Sequence, residues 1–341
     1  MEQSDKGDTM QPMTELDAAS LREYYRKFAL LEAAESSPIY TQWARGVAED
    51  EVIIARLLEL PTPKRQANLL FAAARHLGAG NGDYSSLREW LLKNWRPTRE
   101  LMLARSTQTN EAGRCAVLLP ALAQLSGPLS LIEVGASAGL CLYPDRYSYT
   151  YRSESGITRC DPVTGPSSVT LDCELRHAAP PTRVPEVAWR AGIDLNPIDI
   201  ADTDQQKWLQ SLIWPEHDER RARLSAAAEL VAADPPRLVP GDLLDTVESL
   251  AAEAPANTQT VVFHSAVLAY VEPAVRERFA ALMREREDIV WISNEGGGVL
   301  PDVLAQVSDL GVQPDGRFVL AVDGRATALT GPHGQSYEGL M

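Results

Sequence analysis

Apolar residues recur at three- and four-residue steps through the first third of the chain. Leu21, Tyr24, Tyr25, Phe28 and Leu31 trace one helical face. Ile53, Ile54, Leu57, Leu58 and Leu60 trace another, stopped by Pro61 and Pro63. Asn68 to Leu77 is rich in Leu and Ala and ends at Gly78, and Ser85-Ser86-Leu87-Arg88-Glu89 opens a capped helix that runs to Trp95. Thr109 to Leu125 reads as a further helix kinked at Pro120. Residues 21–125 are therefore expected as an all-helical module. Before it, residues 1–20 are polar and acidic with little to bury, and are expected as a disordered tail.

The period changes at Ser126-Gly127-Pro128. Leu129-Ser130-Leu131-Ile132-Glu133-Val134 is a short apolar run suited to a buried parallel strand. Further strands are expected at Ala188–Leu195, Arg237–Val239, Thr260–His264, Asp288–Ser293, Arg317–Val322 and Ala326–Leu329. Helical stretches separate most of them: 204–214, 220–233, 243–254, 273–286 and 301–310. Such alternation implies right-handed crossovers and a mainly parallel α/β sheet. Asp323-Gly324 is a short hairpin signal, so the sheet is expected to end in an antiparallel pair. Tyr147-Ser148-Tyr149-Thr150-Tyr151 and Ser168-Val169-Thr170-Leu171 read as an inserted hairpin, at about 146–175, within a sheet domain of residues 126–341.

Composition narrows the partners. The 341 residues carry 32 Lys+Arg against 47 Asp+Glu, a net charge of −15. Nucleic acid and anionic membranes are thereby disfavoured, because phosphate neutralisation needs clustered cations. No apolar run reaches the ~20 residues of a membrane helix, and the N-terminus lacks the basic and apolar segments of a secretory signal. Cys115, Cys141, Cys160 and Cys173 are scattered without a CxxC pair, which speaks against a zinc site or disulfide scaffold and for a reducing cytoplasm. No metal is expected, and the chain gives no oligomer signal.

Glu133-Val134-Gly135-Ala136-Ser137-Ala138-Gly139 follows the first strand and is expected to open a helix, with small residues that let a backbone approach a ligand. Three chemistries use such a turn. A dinucleotide fingerprint needs Gly-x-Gly-x-x-Gly, whereas Ser137 and Leu140 stand at its second and third glycines. A nucleophile elbow fits G-x-S-x-G, with Ser137 as nucleophile and His333 or His264 as its partner, but only helices precede it and no oxyanion segment is present. The third is a site for a nucleoside with a charged tail.

That third pattern resembles class I S-adenosylmethionine-dependent methyltransferases. Their first motif is an acid followed by Gly-x-Gly-x-Gly; here Glu133, Gly135, Ser137 and Gly139 hold those places, with Ser137 departing from the middle glycine. The resemblance implies a Rossmann-like seven-stranded methyltransferase sheet ending in an antiparallel hairpin. It also implies that Asp194, ending the second strand, binds the ribose hydroxyls, that Asp242 lies beside the adenine, and that the fourth strand brings His264-Ser265 to the substrate. There is no Asn/Asp-Pro-Pro-Tyr segment like that of many amino-group methyltransferases. The longer motifs Gln108–Cys115, Glu133–Leu140, Asp194–Pro197, Phe263–Tyr270 and Ser293–Gly296 together look like an uncharacterised bacterial family, domain of unknown function 2332. That resemblance runs from about residue 25 onward and supplies no substrate.

Each candidate has a bland counterpart. Glu133 and Asp194 end strands where open sheets bind ligands, or else they cap and solvate. Asp242 contacts cofactor or caps the next helix. His264 is a general base, or a histidine bonded to a neighbouring loop. Asn110 and Arg114, one helical turn apart, hold a carboxylate or join an internal hydrogen-bond cluster. Ser265, Tyr270, Asn294 and Glu295 shape a substrate pocket or merely pack. The resulting expectation is methyl transfer from S-adenosylmethionine to an O or N of a small molecule, with the helical module covering the pocket. The alternatives are a non-catalytic cofactor-binding module and a serine hydrolase.

Overall fold

The computed structural model describes residues 17–108 and 110–340. The expected tail lies outside the described residues as far as residue 16. Asp17 already belongs to a helix, its carboxylate accepting the Ser20 N–H to cap Ala18–Lys27.

The chain forms two compact units. One comprises residues 17–108 with 202–222; the other comprises 110–201 with 223–340, so the boundary at Ala222 falls inside the helix Asp218–Ala233. In the first unit the principal helices are Ala18–Lys27, Pro38–Glu49, Glu51–Leu58, Ala67–His76, Tyr84–Ala104 and Thr203–Leu212. Asp17, Ser37, Asp50, Asp83 and Asp202 each cap one through a side-chain oxygen, satisfying N–H groups that have no partner within the helix. The predicted helix at Ser85 runs on to Ala104, bending at Asn94 (φ −118°, ψ 21°) ahead of Pro97. The buried aromatic faces of Tyr25, Phe28, Tyr40, Trp43, Phe71 and Trp208 form the core.

The second unit is built on one mixed sheet of eleven strands, not seven. In chain order they are β1 (Leu129–Val134), β2 (Ser148–Ser153), β3 (Gly156–Cys160), β4 (Thr170–Arg176), β5 (Val187–Asp194), β6 (Arg237–Pro240), β7 (Gln259–Ser265), β8 (Ile289–Gly296), β9 (Phe318–Val322), β10 (Arg325–Thr330) and β11 (Ser336–Gly339). The spatial order is β3-β2-β4-β11-β10-β9-β8-β7-β1-β5-β6. All seven strands expected from periodicity are present. β6, β5, β1, β7 and β8 are mutually parallel, and β9 and β10 form the antiparallel pair. Asp323 (φ 49°) and Gly324 (φ 75°) are both left-handed, as a tight primed hairpin turn requires.

The inserted hairpin needs correction. The two tyrosine- and valine-bearing segments, β2 and β4, pair in parallel; the hairpin is β2 with β3. β3 escaped notice because it is an edge strand exposed along most of its length, and so carries no apolar alternation.

After the inserted β2, β3 and β4, the chain places β5 and β6 on one side of β1, then returns to place β7 and β8 on the other side. This reversal beside β1 is the place where open parallel sheets form ligand crevices. Ile132 and Val134 face a core shared with the helices Leu243–Ala251, Pro273–Glu285 and Pro301–Asp309. By strand alternation Glu133 projects from the opposite face.

Candidate functional site at the strand ends

The glycine loop does not open a helix. After Gly139 comes only the 3₁₀ turn Leu140–Leu142. Its three residues are buried, leaving no polar face for an amphipathic helix, and Pro144 follows with no N–H to donate. Tyrosine hydroxyls take over the local carbonyls: Tyr147 donates to Leu140 (2.7 Å) and Tyr149 to Pro144 (2.6 Å). Tyr151 donates to Ala116, so the three alternating tyrosines are packing residues.

Gly135, Ser137 and Gly139 all take left-handed φ values of 73°, 51° and 73°. The loop is tied to β5: the Gly135 and Ala136 N–H groups donate to the Ile193 carbonyl, and Ser137 N–H donates to Asp194 Oδ2 at 2.8 Å. Asp194 Oδ1 accepts from Asn196 N–H, also at 2.8 Å. Asn110 Nδ2 donates to the Ala136 carbonyl at 3.1 Å. A Cβ on Gly135 would overlap the Val267 side chain, and one on Gly139 would lie 2.8 Å from Pro236 Cγ. These two glycines therefore serve close packing within the protein.

Two polar groups at this strand end have no hydrogen-bond partner among the described residues: Glu133 Oε2 and Ser137 Oγ, both buried. Burial, with Cys141 and Asp194 adding, pushes the Glu133 carboxyl well above the ordinary carboxylate range; Arg114 pulls the other way. Asp194 is half-buried beside the loop, and Leu195 immediately after it is 71% exposed. Ser137 Oγ has no base bonded to it, so the elbow chemistry lacks its second member.

The ends of β7 and β8 differ. His264 is fully buried, with both ring nitrogens engaged. Trp291 Nε1–H can only donate, so His264 Nε2 accepts it (3.0 Å); Nδ1 then carries the proton and donates to Glu295 Oε1 (2.6 Å). Glu295 also accepts the Val267 and Leu268 N–H groups, at 3.0 and 3.1 Å to Oε1. No nitrogen of His264 is left for a substrate proton; the histidine positions Glu295, which holds the turn that seats Val267 on Gly135.

On the other sheet face Asn294 Nδ2 donates to Ser265 Oγ (2.9 Å), Thr330 Oγ1 donates to Asn294 Oδ1 (2.6 Å), and Arg114 Nη1 donates to the Ser265 carbonyl (2.7 Å). Arg114 Nε donates to the Pro332 carbonyl. The expected substrate residues Arg114, Ser265 and Asn294 are thus brought together, but they bind one another. Glu295 is part of the buried histidine pair, and Tyr270 stands 83% exposed. Asp242 is an exposed helix cap, accepting Leu244 N–H at 2.9 Å. Trp291, Val267 and Thr330 escaped the sequence reading, because only the folded chain brings them beside His264, Gly135 and Asn294.

Among the described residues no group of three or more His, Cys, Asp or Glu is arranged to hold a metal ion. No helix there is long and apolar enough to cross a membrane. Comparison with curated proteins and with solved structures gives no match. A family model does match residues 22–338, nearly the whole chain, and the protein belongs to that family, described as an uncharacterized protein conserved in bacteria (DUF2332).

Proposed function

We propose that the protein binds S-adenosylmethionine at the ends of β1 and β5 and transfers its methyl group to an oxygen or nitrogen of a small acceptor. One observation carries this reading: the buried Glu133 Oε2 has no partner, and it lies one strand away from the Asp194 carboxylate beside the chain reversal.

The donor set fits such a ligand through its acids, not its glycines. Glu133 would face the ammonium group, Ser137 Oγ would complete that polar end, and Asp194 would take ribose hydroxyls beside the exposed Leu195. When bound, the cofactor supplies an electrophilic methyl carbon. The chain's contribution is orientation and exclusion of water, worth several kcal/mol in well-aligned intramolecular reactions, roughly 7–11 at the limit. With His264 sealed, the acceptor's proton leaves to solvent, which favours acceptors already nucleophilic near neutral pH.

The sealed histidine also favours a second reading, cofactor binding without turnover. Calorimetric titration with S-adenosylmethionine and S-adenosylhomocysteine is the deciding measurement. Wild type is expected to bind both, and Asp194→Ala to lose at least about tenfold in affinity, about 1.4 kcal/mol. Absence of binding by either ligand would sink the assignment. Labelling of Ser137 by a fluorophosphonate would restore the hydrolase.

A further inference from the structure

The orphan oxygen of Glu133 has a chemical consequence beyond the cofactor assignment on which it rests. Glu133 lies on β1 between Gly192 of β5 and Phe263 of β7. Arg114 is the one favourable charge acting on Glu133, from beyond ion-pair distance; the other charged neighbours are paired elsewhere or have the wrong sign. Arg114, in the turn Ala112–Arg114, spends Nε and Nη1 on the Pro332 and Ser265 carbonyls. Glu111 is paired with Arg223 at 2.9 Å. Asp194 from β5 is an acid, and Cys141 from the 3₁₀ turn is a buried thiol pushed upward by its neighbour Cys115 and by burial. His264 of β7 points to the opposite sheet face, toward Trp291, where the helix Leu243–Ala251 also packs. No cation lies within ion-pair distance of Glu133 among the described residues. A buried carboxylate without counter-charge is costly, and holding a proton removes that cost.

We propose that Glu133 is the neutral acid in the free protein and gives up its proton when a cationic group enters beside it, so that cofactor binding releases a proton. The O–H bond of Glu133 breaks, the proton passes to buffer, and the resulting carboxylate pairs with the ammonium of the ligand. The site would thereby select for cations: a ligand without positive charge supplies nothing to stabilise the ionised acid.

Two measurements test this separately. Difference infrared spectroscopy of the free protein at pH 7 is expected to show the carbonyl stretch of a buried carboxylic acid that disappears in Glu133→Gln. Should that variant fail to fold, a pH titration of the same band in wild type replaces it. Calorimetry of S-adenosylmethionine in two buffers of different ionisation enthalpy is expected to report about one proton released per site. Below neutral pH, where the ligand's amine is fully protonated, affinity should rise about tenfold per pH unit, and this slope should vanish in Glu133→Gln. Binding with no acid band, or with no proton release and no slope, overturns the inference and leaves the cofactor assignment standing. An acid band with no binding of the cofactor or of S-adenosylhomocysteine overturns the cofactor assignment, and the proton release with it.

Discussion

The end of β1 and the ends of β7 and β8 lie side by side in one sheet and treat a buried glutamate in opposite ways, although Ser293 Oγ of β8 also lacks a partner among the described residues. At β7 and β8, His264, Glu295, Asn294 and Ser265 each find partners in Trp291, two backbone N–H groups, Thr330 and one another. At β1, Glu133 and Ser137 are equally buried, yet each keeps an oxygen without a partner. A satisfied network rigidifies; an unsatisfied one costs stability and is tolerated where something else completes it. The residue type most suggestive of catalysis, a histidine at a strand end, belongs to the satisfied side.

The sharpest way to break this contrast is Glu295→Ala. It strands His264 Nδ1 and two backbone N–H groups in the interior, and is expected to cost about 3–5 kcal/mol in urea denaturation. A loss below about 1 kcal/mol would show that the cluster is not a structural unit. Gly135→Ala comes next. Left-handed φ costs about 1–2 kcal/mol for a side-chain-bearing residue, and the overlap with Val267 adds about 1–3. Val267→Ala in the same chain should recover most of the second part; without that recovery, Gly135 is not held by packing.

Glu133→Gln should have the reverse sign, with an effect that is smallest at low pH. Because burial raises the folded carboxyl, wild type has its full contribution below the ordinary carboxyl range and loses it as pH rises toward the folded value. The variant should therefore match wild type at low pH and exceed it as pH rises, by up to about 1.4 kcal/mol per pH unit. Thermal melts at two pH values read this directly, and a variant destabilised equally at both would erase the contrast.

The sequence pattern carried the fold as far as hydrophobic periodicity reaches. The buried parallel strands and the Asp323-Gly324 turn were legible because apolar runs and a left-handed pair leave local marks. β11, with its four residues Ser336–Gly339, has no such mark; its register with Glu174, Leu175 and Arg176 of β4 makes it a strand. The missing helix after Gly139 was illegible for a related reason: Leu140, Cys141 and Leu142 suit a helix as well as a turn, and tyrosines further along settle which forms. The placement of Glu133 and Asp194 at neighbouring strand ends was legible, since strand-end acids follow from the strand pattern. His264 misled because its partners lie 27 and 31 residues away and are joined to it only by strand pairing.

β11 also has a consequence for the order of assembly. It joins the three inserted strands to the rest of the sheet, pairing with β10 on one side and β4 on the other. During synthesis β2, β3 and β4 leave the ribosome long before this bridge exists. Until it arrives, β4 presents an open row of N–H and C=O groups, the kind of edge on which chains aggregate. Closing it demands a contact of high sequence separation, the slowest sort to form. Four residues, of which Tyr337 alone is buried, thus set when the nascent sheet ceases to be an aggregation hazard.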